Sequence, residues 1–247
     1  MPRDVGAIVV AAGSGTRFGS ETPKQFHAVG GVPIVLWALR HFTSHPDVGH
    51  VVLVLRPSDA SDPPSFLLQA GFSGAASGNA SPSSASSSVA LTLVPGGAHR
   101  GDSVRAGITA LRAECSVVLV HDGARPFVDR TVIDAVIDYA RNGEGAVPAV
   151  PLSDTLKEVD RRDPSRILRT HPRTQMWRAQ TPQGFPRAVL EEAYARAARI
   201  GRRATDDAAL VEAMGTPVRL VPDSRRNIKV TTPEDLALAE LLAGESG

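Results

Sequence analysis

The first loop of the chain carries the residues whose types and spacing most clearly suggest chemistry. Gly13, Gly15 and Gly19 follow a short apolar run, and the cations Arg17 and Lys24 stand seven residues apart beside them. Glycines let backbone N–H groups approach an anion closely, and two cations add charge that a polyphosphate would attract. The loop is therefore a candidate binding site for a phosphorylated ligand.

Three interpretations of this loop compete. A dinucleotide loop needs the spacing G-x-G-x-x-G and opens directly into a helix, whereas this loop reads G-x-G-x-x-x-G and Pro23 interrupts it. Arg56, and not an acid, follows the second predicted strand, which also disfavours an NAD(P)-linked oxidoreductase. The P-loop pattern is absent from the sequence. The third interpretation is a loop that binds a nucleoside triphosphate with the help of Arg17 and Lys24. The alternative for these two cations is that they are solvated loop charges.

Strands and helices alternate along the chain and must position this loop. Short runs rich in Val and Ile predict buried strands, and apolar residues at helical spacing predict the helices between them. The predicted strands cover residues 5–11, 51–55, 91–94, 117–120, 146–150, 218–221 and 228–230. The predicted helices cover residues 33–42, 100–113, 131–139, 188–198 and 208–214, and a last helix begins after Thr232.

This alternation predicts an α/β fold with a doubly wound, mostly parallel, Rossmann-like sheet in a single domain over residues 1–247. Such sheets bind ligands beyond the carboxyl ends of their strands. Two segments break the pattern. Residues 73–88 contain only Ser, Gly, Ala, Asn and Pro, which predicts a disordered insertion. Residues 151–184 lack a helical period, and we expect an extended β-arm there; the alternative is an ordinary long loop.

The composition excludes several classes of protein. The 247 residues include 27 Lys and Arg against 26 Asp and Glu, a net charge of +1, so nothing global suggests nucleic acid or an anionic membrane as a partner. The single Cys115 cannot form an internal disulfide, so we expect a protein of the reducing cytoplasm. Residues 1–12 lack the apolar length of a signal peptide, and no run approaches the ~18 residues of a membrane helix.

Further motifs narrow the interpretation of the first loop. The segment AAGSGTRFG followed by PKQF resembles the signature of sugar- and alditol-phosphate nucleotidyltransferases. With the segments that follow, the whole set resembles the 2-C-methyl-D-erythritol 4-phosphate cytidylyltransferase family over nearly the entire chain apart from residues 73–88. Those further segments are PGGAHRGDSV at residues 95–104, HDGARP at 121–126, PLSDTLK at 151–157, QTPQGF at 180–185 and NIKVT at 227–231.

This resemblance implies a nucleotidyltransferase-type fold and a reaction in which CTP and methylerythritol phosphate give a CDP-linked alcohol and pyrophosphate. Both reactants are polyanions, so catalysis would rest on charge neutralisation and in-line positioning. By the resemblance, Arg17 and Lys24 stabilise the transition state at the α-phosphate. The nucleotide would be held by two groups of residues, Ala11, Ala12, Gly13, Ser14 and Gly15 in the first loop and Gly97, Arg100 and Ser103 beside the cytosine and ribose.

The resemblance also assigns residues to the acceptor. It places Asp122, Arg125, Thr155 and Thr181 around methylerythritol phosphate, and Lys229 at its phosphate. Three of the assigned residues have a plainer alternative: Ser103, from the nucleotide group, as a residue of a helix N-terminus, Asp122 as a turn residue and Lys229 as a solvated edge charge.

The resemblance further implies a homodimer and a metal. Arg173 matches a family arginine that reaches into the neighbouring subunit's site, so the arm at residues 151–184 would be exchanged between subunits; the alternative is one more surface arginine. Mg²⁺ is expected with the triphosphate, with its protein ligands unknown. Arg225 and Arg226 stand where many relatives carry an acid, and Ala98 replaces a frequent acid, so acidic roles there do not transfer.

Two other functions remain open at the level of sequence. A ribitol 5-phosphate cytidylyltransferase would share the first loop and the QTPQ segment, although HDGARP and DTLK favour the methylerythritol family. A non-catalytic nucleotide-binding protein on the same fold is disfavoured by the retention of Arg17, Lys24 and Lys229.

Overall fold

A computed structural model describes residues 3–13, 18, 22–72, 89–203 and 205–245 of the chain. The predicted insertion at residues 73–88 lies outside the described residues, as do Ser14, Gly15 and Arg17 of the first loop. Among the described helices, none is long and apolar enough to cross a membrane.

Six of the twelve described strands occupy predicted strand positions, in the predicted order, and six short strands are additional. The twelve are β1 (Val5–Val10), β2 (Ala28–Val29), β3 (Val32–Pro33), β4 (Val48–Leu55), β5 (Ala90–Pro95), β6 (Val117–Asp122), β7 (Gly145–Pro151), β8 (Leu156–Val159), β9 (Ile167–His171), β10 (Trp177–Ala179), β11 (Gln183–Pro186) and β12 (Val218–Pro222).

The helices alternate with these strands. They are α1 (Ile34–Thr43), α2 (Pro57–Ser61), α3 (Ser65–Gln69), α4 (Arg100–Ala110), α5 (Arg130–Arg141), α6 (Arg187–Arg199), α7 (Ala208–Glu212) and α8 (Pro233–Gly244), with a 3₁₀ turn at Lys24–Phe26. The helix start predicted at Thr232 is confirmed, because its side chain accepts a hydrogen bond from the Asp235 backbone N–H in a capping box.

The central sheet has the order β10-β7-β11-β6-β1-β4-β5, and β12 pairs with the other edge of β7. Neighbouring strands β5, β4, β1 and β6 are all parallel, as is the pair of β7 and β12. Antiparallel pairing is confined to β10 and β11, and β11 is inserted between β6 and β7. The predicted mostly parallel sheet is therefore confirmed.

Helices cover both faces of this sheet. Alternate residues of β1 show it directly: Ala7 and Val9 belong to the apolar cluster beneath α1 and α5, whereas Ile8 belongs to the cluster beneath α4, α6 and α7. Gly107 of α4 permits the close approach on the second face, because a Cβ there would lie 2.4 Å from Ile8 Cγ2. The result is the doubly wound arrangement in which the carboxyl ends of the strands stay open.

The predicted strand at residues 228–230 is wrong. Those residues form no ladder with the sheet, and instead the Val230 N–H donates to the Ala124 carbonyl oxygen at 2.9 Å. The segment crosses the carboxyl end of β6, and Val230 is buried in an apolar cluster with Ile34 of α1 and Ala239 of α8, whose described members lie outside the central sheet. An apolar alternation of three residues did not distinguish this crossing from a strand.

Between β7 and α6 the chain leaves the sheet. Strands β8 and β9 pair only with each other, as an antiparallel ribbon, before β10 and β11 return to the sheet. The ribbon exposes large apolar side chains, among them Leu156, Ile167 and Leu168. It is this segment that carries Thr155 near its first strand and Arg173 after its second.

Candidate active site

A cavity of about 360 Å³ opens at the carboxyl ends of β1, β5 and β6. Nine of the residues singled out from the sequence share its wall, although they come from four separate parts of the chain: Ala11, Ala12, Gly13, Lys24, Gly97, Arg100, Ser103, Asp122 and Lys229. Val10, Gln25, Ala98, His99 and Ala124 complete the lining.

The first wall of the cavity is the loop after β1. Its backbone is fixed at both groups of Ala11, because the Ala11 N–H donates to the Val54 carbonyl oxygen at 2.8 Å and the Ala11 carbonyl accepts from Gln25 Nε2 at 2.6 Å. Gln25 is buried, and it belongs to the same 3₁₀ turn as Lys24. The glutamine therefore fastens the turn that carries Lys24 to the start of the loop.

The second wall is the turn between β5 and α4. A Cβ at Gly96 would lie 2.6 Å from Ser103 Oγ and 2.7 Å from Ala12 Cβ, so only glycine lets this turn approach the first loop so closely. The buried Ser103 hydroxyl accepts from the Gly97 N–H at 3.2 Å and donates to the His99 carbonyl oxygen at 3.3 Å. Ser103 therefore shapes the turn from inside, and is more than a residue of a helix N-terminus.

Asp122 is the one acid that lines the cavity within the described part of the chain. Its Oδ2 lies 2.7 Å from Lys229 Nζ and 3.7 Å from Arg125 Nε, and its Oδ1 lies 3.5 Å from Arg100 Nε. Burial raises the pKa of Asp122, but attraction to Lys229, Arg100 and Arg125 outweighs it and holds the pKa well below its ordinary value. The carboxylate is thus an ionised centre among three cations.

The segment that presents Lys229 is fastened on both sides. Asn227 is fully buried, and its Nδ2 donates to the Thr181 carbonyl oxygen at 2.9 Å and to Asp223 Oδ2 at 2.7 Å. The Asn227 carbonyl oxygen accepts from Arg125 Nη1 at 2.7 Å and from Gln180 Nε2 at 2.9 Å. With the Val230 bond to Ala124 on the other side, Lys229 is held over Asp122.

Behind Asp122 lies a buried histidine–threonine pair. Thr181 Oγ1 accepts from the Asp122 N–H at 3.1 Å and lies 3.0 Å from His121 Nδ1, while His121 Nε2 lies 3.0 Å from the Arg125 carbonyl oxygen. Burial lowers the pKa of His121 to about 3, so the ring is neutral. Because the neutral ring donates a hydrogen bond from Nε2, its Nδ1 accepts one from the Thr181 hydroxyl. The hydroxyl oxygen in turn accepts from the Asp122 N–H, and these bonds together fix the Asp122 backbone.

Arg100 connects the cavity to a second buried acid. Its Nη2 donates to Asp207 Oδ2 at 2.8 Å, and the Asp207 side chain is fully buried. The Tyr194 hydroxyl also donates to Asp207. Burial alone would lower the pKa of Arg100, but Asp207 and Asp122 raise it above its ordinary value.

The structure does not bring every predicted residue to this cavity. Thr155 and Arg173 are exposed on the ribbon segment, where the Arg173 guanidinium donates to the Ser153 carbonyl oxygen, and neither lines the cavity of its own chain. Arg125 and Thr181 lie behind Asp122 with their polar atoms directed at neighbouring protein groups. Arg226 pairs with Glu245 at 2.5 Å, and Arg225 is exposed outside the cavity.

Several buried polar residues around the site were not predicted from the sequence. Gln25, His121, Gln180 and Asn227 position other groups, and each stands inside a motif already quoted, so membership of a motif was the available signal. Asp207 immediately precedes α7 and stands in none of the quoted motifs. Its contact with Arg100, 107 residues away, has no local signature.

The chemistry of the cavity suits a polyanion. Lys24, Arg100 and Lys229 supply positive charge, and backbone groups of two loops face the same space. The described residues contain no group of three or more His, Cys, Asp or Glu side chains that would bind a metal without help from a substrate. A cationic cavity at the carboxyl ends of a doubly wound sheet defines a nucleotide-binding α/β protein, and the motifs along its rim are those of nucleotidyltransferases.

Comparison with known proteins narrows this class to one family. The family model described as 2-C-methyl-D-erythritol 4-phosphate cytidylyltransferase matches residues 5–245, and the chain belongs to that family. The enzyme of this name from Salinibacter ruber is 41% identical over 95% of this chain and 91% of its own length, and the one from Syntrophus aciditrophicus is 38% identical over 97% and 96%. The crystal structure from Thermus thermophilus superposes with a TM-score of 0.71 at 36% identity, covering 96% of this chain and 98% of the other.

Proposed function

We propose that the cavity at the ends of β1, β5 and β6 is where this chain transfers the cytidylyl group of CTP to 2-C-methyl-D-erythritol 4-phosphate. Membership of the family makes the chain a nucleotidyltransferase of isoprenoid precursor synthesis that uses CTP. The observation that carries the assignment of the site is the meeting of Lys24, Arg100 and Lys229 around Asp122 in one cavity.

In the reaction, an oxygen of the acceptor's phosphate monoester forms a bond to the α-phosphorus of CTP. The bond from that phosphorus to the bridging oxygen breaks, and pyrophosphate leaves with the electron pair. Charge builds on the α-phosphate oxygens in the transition state, so we assign Arg17 and Lys24 to that phosphate. The first loop, with Ala11, Ala12, Gly13, Ser14 and Gly15, and the Gly97–Ser103 turn, would hold the nucleotide.

Lys229 is assigned to the acceptor phosphate, because its ammonium group already faces the ionised Asp122 at the mouth of the cavity. Asp122 would contact the acceptor's hydroxyl groups directly. Arg125 and Thr181 support the acceptor site by fixing the Asp122 backbone and the Asn227 segment. Arg125 Nη1 and Thr181 Oγ1 are already engaged with these protein groups, whereas Arg125 Nε is buried without a hydrogen-bond partner.

Mg²⁺ would be held by the CTP phosphates. Asp122, the one acid that lines the described cavity, already faces Lys229, Arg125 and Arg100 and is assigned to the acceptor. We therefore propose no protein carboxylate as a ligand of the ion. When bound, the ion would neutralise charge on the triphosphate.

The exposed ribbon supports a homodimer. Leu156, Ile167 and Leu168 give it an apolar surface, and Arg173 and Thr155 on the same segment lie outside the cavity of their own chain. We propose that the ribbon packs against a second copy and that Thr155 and Arg173 reach the partner's acceptor site. The buried free thiol of Cys115 is compatible with the cytoplasm, where we place the protein.

The function is tested by measuring pyrophosphate release from each pairing of nucleotide and acceptor. The chain should turn over CTP with methylerythritol phosphate, and replacement of CTP by ATP or of the acceptor by ribitol 5-phosphate should lower kcat/KM by at least about a hundredfold, because a site built to hydrogen-bond its substrate rejects analogues that leave its polar groups unpaired. Equal use of ribitol 5-phosphate, or a preference for ATP, would overturn the assignment.

A further inference from the structure

Asp207 is a buried acid next to the nucleotide cavity that the reaction itself does not use. Its side chain is fully buried, and its Oδ2 accepts from Arg100 Nη2 at 2.8 Å. Arg100 lines the cavity, whereas Asp207 does not. Burying an ionised carboxylate is costly unless it is paired, so this contact defines where the guanidinium lies.

Asp207 is itself held rigidly by two neighbouring elements. The Tyr194 hydroxyl of α6 donates to Asp207 Oδ1. On the other side, Gln183 Oε1 of β11 accepts from the backbone N–H groups of Asp207 and Ala208, at 3.1 and 3.0 Å. Gln183 is buried, so the position of Asp207 is set by the sheet and by α6 and does not depend on a mobile surface group.

Two acids compete for Arg100. The Asp207 contact is a hydrogen-bonded ion pair at 2.8 Å, whereas Asp122 lies on the other side at 3.5 Å from Arg100 Nε, too far for a good hydrogen bond. Without Asp207, Asp122 would be the strongest remaining partner. Arg100 would then shorten its 3.5 Å contact with Asp122 to a hydrogen bond and compete for that carboxylate with Lys229, which lies 2.7 Å from it.

The geometry points to Asp207 as a positioning residue that holds Arg100 at the wall of the cavity and keeps it from closing its 3.5 Å contact with Asp122 into a hydrogen bond, so that CTP can enter. Arg100 offers its remaining donors to the nucleotide from that wall, and Asp122 stays available to Lys229 and the acceptor. Tyr194 supports the same arrangement through its bond to Asp207.

This role predicts a change in CTP affinity opposite in sign to the change that electrostatic potential alone predicts when the charge of Asp207 is removed. Removing a negative charge near a cationic cavity should, by potential alone, strengthen the binding of a polyanion. If Asp207 acts by position, its loss weakens CTP binding. Asp207→Asn keeps the shape of the side chain and removes the charge, so it separates the two effects.

The experiment measures CTP affinity by calorimetry and, in parallel, kcat and KM for each substrate. Asp207→Asn should weaken CTP binding and raise its KM by about tenfold or more, because a hydrogen bond between charged groups is lost, while kcat at saturating substrates stays within about twofold. Glu191→Gln is the control, since it removes an acid of α6 that pairs with Arg187 and not with Arg100. It should leave CTP affinity unchanged.

A coupled pair of variants separates positioning from general destabilisation. In an Arg100→Ala background, adding Asp207→Asn should change CTP affinity by less than about twofold, because the residue it positions is gone. If Asp207→Asn does not fold, Tyr194→Phe replaces it and should weaken CTP binding severalfold in the same direction. Unchanged or tighter CTP binding in the folded variant, or an equal loss in the Arg100→Ala background, would overturn the role.

Because CTP as the ligand rests on the proposed function, binding and turnover are scored separately. A wild-type chain that binds CTP but does not transfer its cytidylyl group would contradict the proposed reaction. The effect of Asp207→Asn on CTP affinity would still decide the positioning role.

Discussion

At the scale of single residues, positive charge reaches the cavity from two places, the cations around Asp122 and the turn that carries Lys24. Asp122 attracts Lys229, Arg125 and Arg100 and holds them near one another despite their mutual repulsion. Lys24 lines the cavity from a turn that Gln25 fastens to the first loop. Removal of Lys24 and removal of Lys229 should therefore change different kinetic constants.

Lys24→Ala should mainly lower kcat, by a factor of ~10²–10³, because losing one preorganised group at the α-phosphate costs about 3–4 kcal/mol in the transition state. Lys229→Ala should instead raise the KM for methylerythritol phosphate more than the KM for CTP. Steady-state kinetics with each substrate varied separately measures both. Arg130→Ala, which removes an exposed cation on α5, is the control and should behave as wild type. Identical kinetic changes in the two lysine variants would contradict the division of roles.

Buried histidines should make stability depend on pH. Burial lowers the pKa of His121 to about 3 and that of His50 to about 4, against about 6.5 in the unfolded chain. Between these values the unfolded state binds more protons, so the free energy of unfolding falls as pH falls from about 6.5 toward 4. The loss should be on the order of 2 kcal/mol for each histidine at pH 5.

Urea denaturation at pH 7.5, 6 and 5 measures this dependence. His50→Gln should flatten it by about half, since His50 bonds Thr92 and the Arg112 N–H and glutamine can take over such contacts. A stability that is constant or rises between pH 7 and 5 would show that these rings are not neutral in the folded state.

At the scale of elements, the two loops that form the cavity must approach each other closely. Gly96 of the turn after β5 sits where a Cβ would lie under 3 Å from both Ser103 Oγ and Ala12 Cβ. The width of the nucleotide site is therefore set by this one contact between the ends of β1 and β5.

Gly96→Ala should push the two walls apart and lower kcat/KM for CTP by about tenfold or more, with a loss of stability of roughly 1–3 kcal/mol from overpacking. Gly244→Ala at the end of α8 is the control, because nothing lies within 4 Å of its added Cβ. Thermal unfolding and CTP kinetics of the two variants test this directly. A Gly96→Ala chain with wild-type CTP kinetics would show that the turn does not define the site.

The sequence predicted the strands correctly where burial on both faces dominated their composition. Apolar runs predicted β1, β4, β5, β6 and β7, because strands buried on both faces have few polar residues. The crossing segment at residues 228–230 was mistaken for a strand, since a loop whose apolar residues are buried against α1 and α8 shows the same apolar pattern. The antiparallel insertion of β11 depends on long-range pairing with Val118 and Leu119, which no local pattern encodes.

The same limit applies to the site. Residues that contact a ligand stand in recognisable motifs, and Lys24, Arg100, Asp122 and Lys229 meet in one cavity. Residues that hold them, such as Asn227 and Asp207, are ordinary in sequence and gain their roles from contacts more than 40 residues away. The residues proposed to face the ligand were therefore easier to predict from the sequence than the buried residues that hold them in place.

At the scale of the whole molecule, the proposed dimer predicts complementation. Lys24→Ala and Arg173→Ala subunits should each be weakly active alone. In a mixed dimer, one of the two sites would contain both wild-type residues if Arg173 acts across the interface. Mixing under conditions that exchange subunits should therefore restore up to about a quarter of wild-type activity, since half the dimers are hybrids with one intact site each. No recovery, despite exchange verified by differently tagged subunits, would leave Arg173 as a surface charge.

The most direct measurement of the central claim follows the phosphorus atoms themselves. Phosphorus NMR of CTP, methylerythritol phosphate and Mg²⁺ with the wild-type chain should show the acceptor's monoester signal replaced by two coupled diphosphate signals, with pyrophosphate in equal amount. Mass spectrometry should give the mass of the CDP-linked alcohol. Release of pyrophosphate with CMP and unchanged acceptor would mean hydrolysis and would contradict transfer, as would a mixture that stays unreacted while CTP is bound.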